Sequence, residues 1–187
     1  LIPVALKRDL SIIFVTPKHT QHKIAIETVN QINSCFGKKI VAVDFIGKKW
    51  MCPAPKTENL TSSQFSEYCR ERRENGSCKF YNNYVRKEKR VSNFSLIKEI
   101  QMKGAMNCQD LCSFCAEREV CPYEVACDIA KEAKVIVADY HHILNKSVRA
   151  RFLKKINRSL GSSILVFDEA HNLPEKCKDI LSSSLST

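Results

Sequence analysis

Residues 164 to 171 read Ile-Leu-Val-Phe-Asp-Glu-Ala-His. Four apolar residues of β character stop abruptly at Asp168-Glu169, and a short run of that kind suits a strand buried on both faces of a parallel sheet. Open α/β sheets bind ligands beyond the carboxyl ends of their strands, so the two carboxylates fall where a ligand would lie. One carboxylate can hold Mg²⁺, usually through water, while its neighbour orients or deprotonates an attacking water. A buried strand that merely runs into a charged turn would look the same as far as Glu169. Ala170-His171 extends the match to the Walker B pattern in its DEAH form.

Working outward, residues 133–138 read as another strand of the same kind, and a basic helix is expected from about Ser147 to Leu160. Beyond the acidic pair a helix is expected from Leu173 to Leu185, with a frayed Ser-rich end. At the other end, residues 10–16 form a buried strand and Pro17 to Gln21 a turn. From His22 to Phe36, apolar residues at Ile24, Ile26, Val29, Ile32 and Phe36 approach helical spacing. Gly37 supplies the stop, and residues 40–46 give a second strand. The first 46 residues are thus a β-α-β unit of a parallel sheet, and residues 1–6 resemble the end of a preceding helix.

Between these α/β segments the pattern changes. Residues 47 to about 127 hold eight of the ten cysteines and no long buried strand. Thr61-Ser-Ser-Gln64 resembles a capping box opening a helix through Cys69, and Phe94, Ile97, Ile100 and Met102 suggest another. The apolar complement of this segment is thin, so a helical insertion pinned by metal is expected. The division is residues 1–46 and 131–187 for the α/β part and 47–130 for the insertion.

Composition narrows the partners. The chain of 187 residues carries a formal charge of +10 with a pI near 9.2, which favours a polyanion. From Lys38 to Arg90 there are 13 Lys/Arg against 6 Asp/Glu, so +7 of the excess lies in that window. No apolar run approaches the length of a membrane span, and no secretory leader is present. The absence of an initiator Met suggests a fragment of a longer, intracellular chain. Cysteines clustered in a reducing compartment bind metal or do redox work more often than they pair.

The ten are Cys35, Cys52, Cys69, Cys78, Cys108, Cys112, Cys115, Cys121, Cys127 and Cys177. Cys35 and Cys177 lie outside the cluster and read as incidental. The others allow a compact site, Cys108-x₃-Cys112-x₂-Cys115-x₅-Cys121, or a dispersed one, Cys52-x₁₆-Cys69-x₈-Cys78-x₄₂-Cys121. Either could hold tetrahedral Zn²⁺ or a [4Fe–4S] cube; spacing favours the compact site slightly and does not exclude the other.

Gly47-Lys-Lys-Trp-Met-Cys52-Pro53, Cys78-Lys-Phe-Tyr81 and Cys121-Pro-Tyr-Glu124, followed by residues 135–144 (VIVADYHHIL) and 166–172 (VFDEAHN), resemble in order the XPD family of iron–sulfur DNA helicases, its archaeal members in particular. The resemblance covers essentially the whole chain. It implies a partial RecA-like parallel sheet of the P-loop NTPase type with a small helical Fe–S cluster insertion. It implies one [4Fe–4S] cluster on Cys52, Cys69, Cys78 and Cys121, with Cys108, Cys112 and Cys115 departing from the family pattern. Asp168 would bind Mg²⁺ and ATP, Glu169 would activate the attacking water, and His171 would couple the nucleotide site to the rest of the motor. Residues 16–21 correspond to a segment that touches the DNA backbone, which assigns Lys18, Thr20 and Gln21 to DNA. Lys48, with Lys49, stands where the family carries a basic residue before the first cysteine, at the fork between single strand and duplex.

By the same resemblance the intact enzyme is a monomeric, ATP-dependent 5′–3′ DNA helicase of repair, nucleotide excision repair in particular, cytoplasmic in a prokaryote and nuclear in a eukaryote. No Gly-Lys-Ser/Thr phosphate loop occurs: Gly37-Lys38-Lys39 and Gly47-Lys48-Lys49 lack the hydroxyl. The segment by itself is therefore expected neither to hydrolyse ATP usefully nor to unwind DNA. A basic run interleaved with aromatics (Lys48, Lys49, Trp50, Arg70, Arg72, Arg73, Lys79, Phe80, Tyr81, Tyr84, Arg86 and Lys87) suits single-stranded nucleic acid, although Phe80 and Tyr81 are better read as packing over a cluster, and residues 70–73 could be a solvated helix face. The competing readings are a non-enzymatic zinc module that binds nucleic acid, an electron-transfer protein, and an iron–sulfur nuclease, for which no further acidic constellation is found.

Overall fold

The computed structural model describes residues 1–85 and 90–182, with backbone only at 90–92; Arg86 and Lys87, and all but Ser182 of the Ser-rich end, lie outside the described residues. After a short helix α1 (Ile2–Lys7) the chain runs through β1 (Ser11–Thr16), α2 (His19–Phe36) and β2 (Ala42–Phe45). Five helices follow, α3 (Ser62–Glu74), α4 (Lys79–Val85), α5 (Arg90–Met102), α6 (Cys108–Glu117) and α7 (Pro122–Glu132). The chain then returns to β3 (Val135–Asp139), α8 (His141–Leu144), α9 (Lys146–Lys155), β4 (Ser163–Phe167) and α10 (Leu173–Leu181).

The four strands form one parallel sheet in the order β2-β3-β1-β4. The expected β-α-β unit is present, yet β1 and β2 are not neighbours, because β3 lies between them with Val43 opposite Ile136 and Ile13 opposite Ile136 on its other side. Successive residues of each strand face opposite sides. Ile13, Val15, Val43, Phe45, Ile136 and Ala138 pack with α6, α7 and α9 through Leu111, Val125, Ile129, Phe152 and Ile156. Ile12, Ala42, Val135 and Val137 pack with Ala5, Ile26 and Val29 of α1 and α2. Helices therefore cover both faces, the arrangement a parallel sheet requires.

Several boundaries move from their sequence positions. The segment 17–21 is a turn only as far as Lys18; α2 begins at His19, and Gly37 ends it in the left-handed region at φ 58°. Thr61 forms the expected capping box, its hydroxyl accepting from Gln64 N and its own N–H donating to Gln64 Oε1 at 2.8 Å, but α3 continues past Cys69 to Glu74. The basic helix is shorter than expected and is preceded by α8, and residues 160–162 form a separate 3₁₀ turn. The acid-bearing strand differs more. It was expected to be buried on both faces, whereas all five residues of β4 are half-buried, because β4 is the last strand in the sheet order and no described strand covers its outer side.

The cysteine-rich segment shares its core with the sheet. Met51, Tyr84, Ile100, Phe114, Cys115 and Val120 belong to the same apolar cluster as Ile13 and Ile136, so the thin apolar content is supplemented from the neighbouring layer. Tyr84 is 2% exposed and donates its hydroxyl to Asp128 Oδ2 at 2.8 Å, which makes it a core residue and removes it from any stacking surface.

Candidate functional site

Three features gather at or beside the carboxyl edge of the sheet. The first is the acidic pair. Asp168 follows β4 directly, its N–H donating to Val15 O at 2.9 Å as the ladder's last rung. Its Oδ2 lies 3.1 Å from Thr16 Oγ1, and its carbonyl accepts from the Tyr140 hydroxyl. Glu169 takes the left-handed conformation, φ 52° and ψ 44°, which costs a non-glycine residue about 1 kcal/mol or more. The conformation is held by Asn172, whose N–H and side-chain amide both donate to Glu169 O, at 2.9 and 3.2 Å. The Glu169 carboxylate meets Gln21 Nε2 at 3.3 Å through Oε1 and His171 Nδ1 at 3.2 Å through Oε2. Lys18 and Thr20 are exposed at the start of α2, while Gln21 is half-buried and turned toward the acids. His171 is exposed.

The second feature is a cavity between α3, α4, α7 and the turn after β2. Cys52, Cys69, Cys78 and Cys121 all line it, together with Phe65, Phe80, Tyr81 and Tyr123. Cys121 caps α7 with Pro122 in the first turn, Cys78 precedes α4, Cys69 lies on α3, and Cys52 follows the turn through Lys48 to Met51. Burial pushes the Cys121 thiol up to about 12, against the backbone N–H of Glu124 and the charge of Lys48, which act the other way. Burial likewise raises Cys52, opposed by the Ala54 N–H and reinforced by Cys69 and Cys78. Thiols held neutral by burial, set in an aromatic shell and facing backbone N–H groups, are suited to a cation that takes the place of their protons. Among the described residues no three His, Cys, Asp or Glu side chains are close enough to hold a single metal ion.

Cys108, Cys112 and Cys115 do not line this cavity. Cys108 and Cys112 stand one turn apart on α6 with sulfurs 3.8 Å from each other, and Cys115 is fully buried in the shared core. Cys127 is buried on α7, Cys35 is exposed on α2, and Cys177 is half-buried on α10.

The third feature is a cleft of about 720 Å³ lined by Lys48, Lys49, Arg70, Arg73, Arg151 and Lys155, with Trp50, Phe65, Tyr123, His141, His142 and Phe152 between the cations. Lys48 and Lys155 both stand over the Tyr123 ring, at 5.1 and 4.9 Å, and Lys155 pairs with Glu124 at 2.6 Å. Arg70 and Arg73, which the sequence left open between the basic nucleic-acid run and a solvated helix face, line this cleft; Arg72 is turned instead to Tyr68 and Ser77. The contribution of α9 through Arg151 and Lys155 was missed, although the basic helix was legible. Cleft and cysteine cavity share a wall of Lys48, Phe65, Cys69, Arg73 and Tyr123.

Between cleft and acids lies a buried charge cluster that sequence reasoning did not find. His22 is 1% exposed, with Nδ1 2.5 Å from Asp44 Oδ1. Its Nε2 is 3.4 Å from Asp139 Oδ1, near enough for charge attraction but without hydrogen-bond alignment. Burial alone lowers the His22 pKa, but the pull of Asp139 and Asp44 outweighs it and raises it to about 9. Asp44 Oδ2 in turn accepts the N–H of Cys108 at 2.7 Å, tying α2 to α6 across β2. A charged residue inside the apolar run Val41-Ala-Val-Asp44-Phe45 was the available signal.

A parallel sheet with an acidic pair at its carboxyl edge and helices on both faces fits a partial RecA-like sheet of the P-loop NTPase type. The sequence pattern of the DEAD_2 family matches residues 14–187, and the chain belongs to that family. Over 98% of its length it is 27% identical to the human regulator of telomere elongation helicase 1, and over 49% it is 29% identical to the budding-yeast (Saccharomyces cerevisiae) general transcription and DNA repair factor IIH helicase subunit XPD/RAD3. It spans only 14% and 11% of those proteins. A solved structure of truncated XPD superposes with a TM-score of 0.59 over 99% of this chain and 47% of that one, at 21% identity, which shows the shared fold.

Proposed function

We propose that the chain is the part of an ATP-dependent DNA helicase motor that carries one [4Fe–4S] cluster on Cys52, Cys69, Cys78 and Cys121, with residues 47–130 as the cluster-bearing insertion. The observation that carries this reading is the convergence of four cysteines, from four separate places in the sequence, on one aromatic-lined cavity that backs onto a basic cleft. When bound, such a cluster supplies four metal–thiolate bonds and with them folding free energy for the helices around it.

The chain's own residues have distinct tasks. Asp168 is the Mg²⁺ carboxylate and Glu169 orients and deprotonates the water that attacks the γ-phosphate. His171, against Glu169, links that site to the rest of the motor. Lys48 and Lys155 over Tyr123 and Lys49 over Trp50 give the cleft both cations and rings, which supports single-stranded DNA as its occupant, with Lys48 and Lys49 meeting phosphates. Lys18 and Thr20 offer a second backbone contact at the exposed start of α2. The names of the relatives, a telomere-elongation helicase and a DNA repair factor subunit, support a role in genome maintenance. The segment by itself, lacking a Gly-Lys-Ser/Thr loop, neither hydrolyses ATP at a useful rate nor unwinds DNA.

Iron, acid-labile sulfide and zinc, measured on protein purified without oxygen, test the reading. About four irons and four sulfides per chain are expected. One zinc without iron, after cluster loss in handling has been controlled for, would replace it with a zinc-binding nucleic-acid module.

A further inference from the structure

Gln21 lies between two surfaces that the helicase reading keeps apart, the exposed start of α2 and the carboxylate pair. Its side-chain amide has one possible orientation. A carboxylate accepts only, so Nε2 must face Glu169 Oε1, 3.3 Å away. Gln21 Oε1 is then an acceptor as well, and the Thr16 hydroxyl serves it. A hydroxyl has one proton; while Thr16 gives it to Gln21, Asp168 Oδ2 at 3.1 Å receives none. The six residues 16–21 thus bring Thr16 beside Asp168 and Gln21 beside Glu169, and in this state, of the two carboxylates, they donate only to Glu169. With His171 on Oε2, each oxygen of Glu169 is engaged, and the direction of the carboxylate is set jointly by Gln21 and His171. The backbone beneath it is fixed by Asn172, so the side chain is the part left to be steered.

Gln21 is also one residue from Thr20 and three from Lys18, both exposed. A phosphate held by Lys18 and Thr20 would pull on the first turn of α2, and the amide is the group in that turn that reaches the acids. We infer that Gln21 is a positioning residue that transmits nucleic-acid contact to Glu169, with its amide setting the direction of that carboxylate. The inference rests on the helicase reading and names a residue through which hydrolysis answers to DNA.

The test uses the full-length protein and measures ATP hydrolysis at saturating Mg-ATP with and without a single-stranded oligonucleotide, alongside oligonucleotide affinity. Gln21→Ala is expected to lower the DNA-stimulated kcat about tenfold while the Kd for oligonucleotide and the KM for ATP stay within about twofold. Gln21→Glu sets a carboxylate against Glu169, with Asp168, His171 and the Tyr140 hydroxyl among the charged or titratable groups around the acid pair. Its stimulated rate is expected to fall further at pH 7.5 and to recover, relative to wild type, as the pH is lowered to 6, because a protonated carboxyl regains the O–H donor that faces Glu169. A purely structural role would show no such recovery. An unchanged stimulated kcat in Gln21→Ala would overturn the inference, as would a loss of rate matched by an equal loss of oligonucleotide affinity. Absence of ATPase in the wild-type protein would overturn the helicase reading and the inference with it.

Discussion

The acidic site and the cysteine cavity are built in opposite ways. The acidic site stands on strand ends: Thr16 and Asp139 are paired in the ladder of a parallel sheet and Asp168 is held by its N–H on Val15 O, so their spacing follows from strand register. The four cysteines come from a turn, a helix face and two helix starts, and no pair of them shares an element. A sheet edge keeps its geometry whether or not a ligand is bound. A cavity assembled from a turn, a helix face and two helix starts has no such frame, and burial raises the pKa of two of its thiols, Cys52 and Cys121. On the proposed reading, one site is positioned by the fold and the other helps to position it.

The sharpest way to break this contrast is to remove a thiol. Cys121→Ser is expected to eliminate iron and to cost several kcal/mol of stability, seen as a lost cooperative transition in thermal melting. Cys35→Ser, at an exposed position, should leave both unchanged. Retained iron and melting in Cys121→Ser would show that the cavity is as self-sufficient as the sheet edge. Glu169→Gln in the full-length protein is expected to reduce ATP hydrolysis by about 10²–10⁴-fold while iron content and melting stay as in wild type; a fall in iron would mean that the two regions are not independent.

The buried His22 sharpens the comparison from the sheet side. Its pKa rises from 6.5 to about 9 on folding, so its contribution is fully present below pH 6.5 and is lost as pH climbs through about 9. Each unit corresponds to about 1.4 kcal/mol. Denaturant titrations should show stability falling by on the order of 2–3 kcal/mol between pH 6.5 and 9, and the fall should be much smaller in His22→Gln. An equal fall in both proteins would locate the titration elsewhere. The smallest effect belongs to the cleft: alanine at Lys48 or Lys49 should each reduce the salt dependence of oligonucleotide binding by about one charge, and an unaltered slope would remove that lysine from the phosphate path.

The same contrast governs what could be read in advance. Strands β1, β3 and β4 were legible because apolar runs flanked by polar residues have one economical reading, and Gly37 and the Thr61 capping box are local signals that need no tertiary context. The start of α2 was missed since His19 and Thr20 present no apolar face. Helices α6 and α7 were not picked out although Asn107 caps one and Pro122 opens the other; the cysteines drew the reading toward ligands. The choice of cavity lining came from family context, because spacing left the dispersed set open and slightly favoured the compact one, Cys108, Cys112, Cys115 and Cys121. The path from Glu169 to Gln21 spans 148 positions, and no periodicity reports a contact of that kind.

The sheet order has a consequence in time. Of the four described strands β1 and β2 are made before the others, but neither pairs with the other; both pair with β3, whose register with β2 joins Ala42 to Val135. Every residue of the cysteine-rich segment must be synthesised before the strand that unites the sheet exists. Until then two apolar strands wait with open edges, a state prone to mispairing, and closing so long a loop carries an entropic cost that slows folding. An intervening segment already condensed around its cavity would shorten that loop, so the order in which the chain is made favours folding of that segment before the four-stranded sheet is complete.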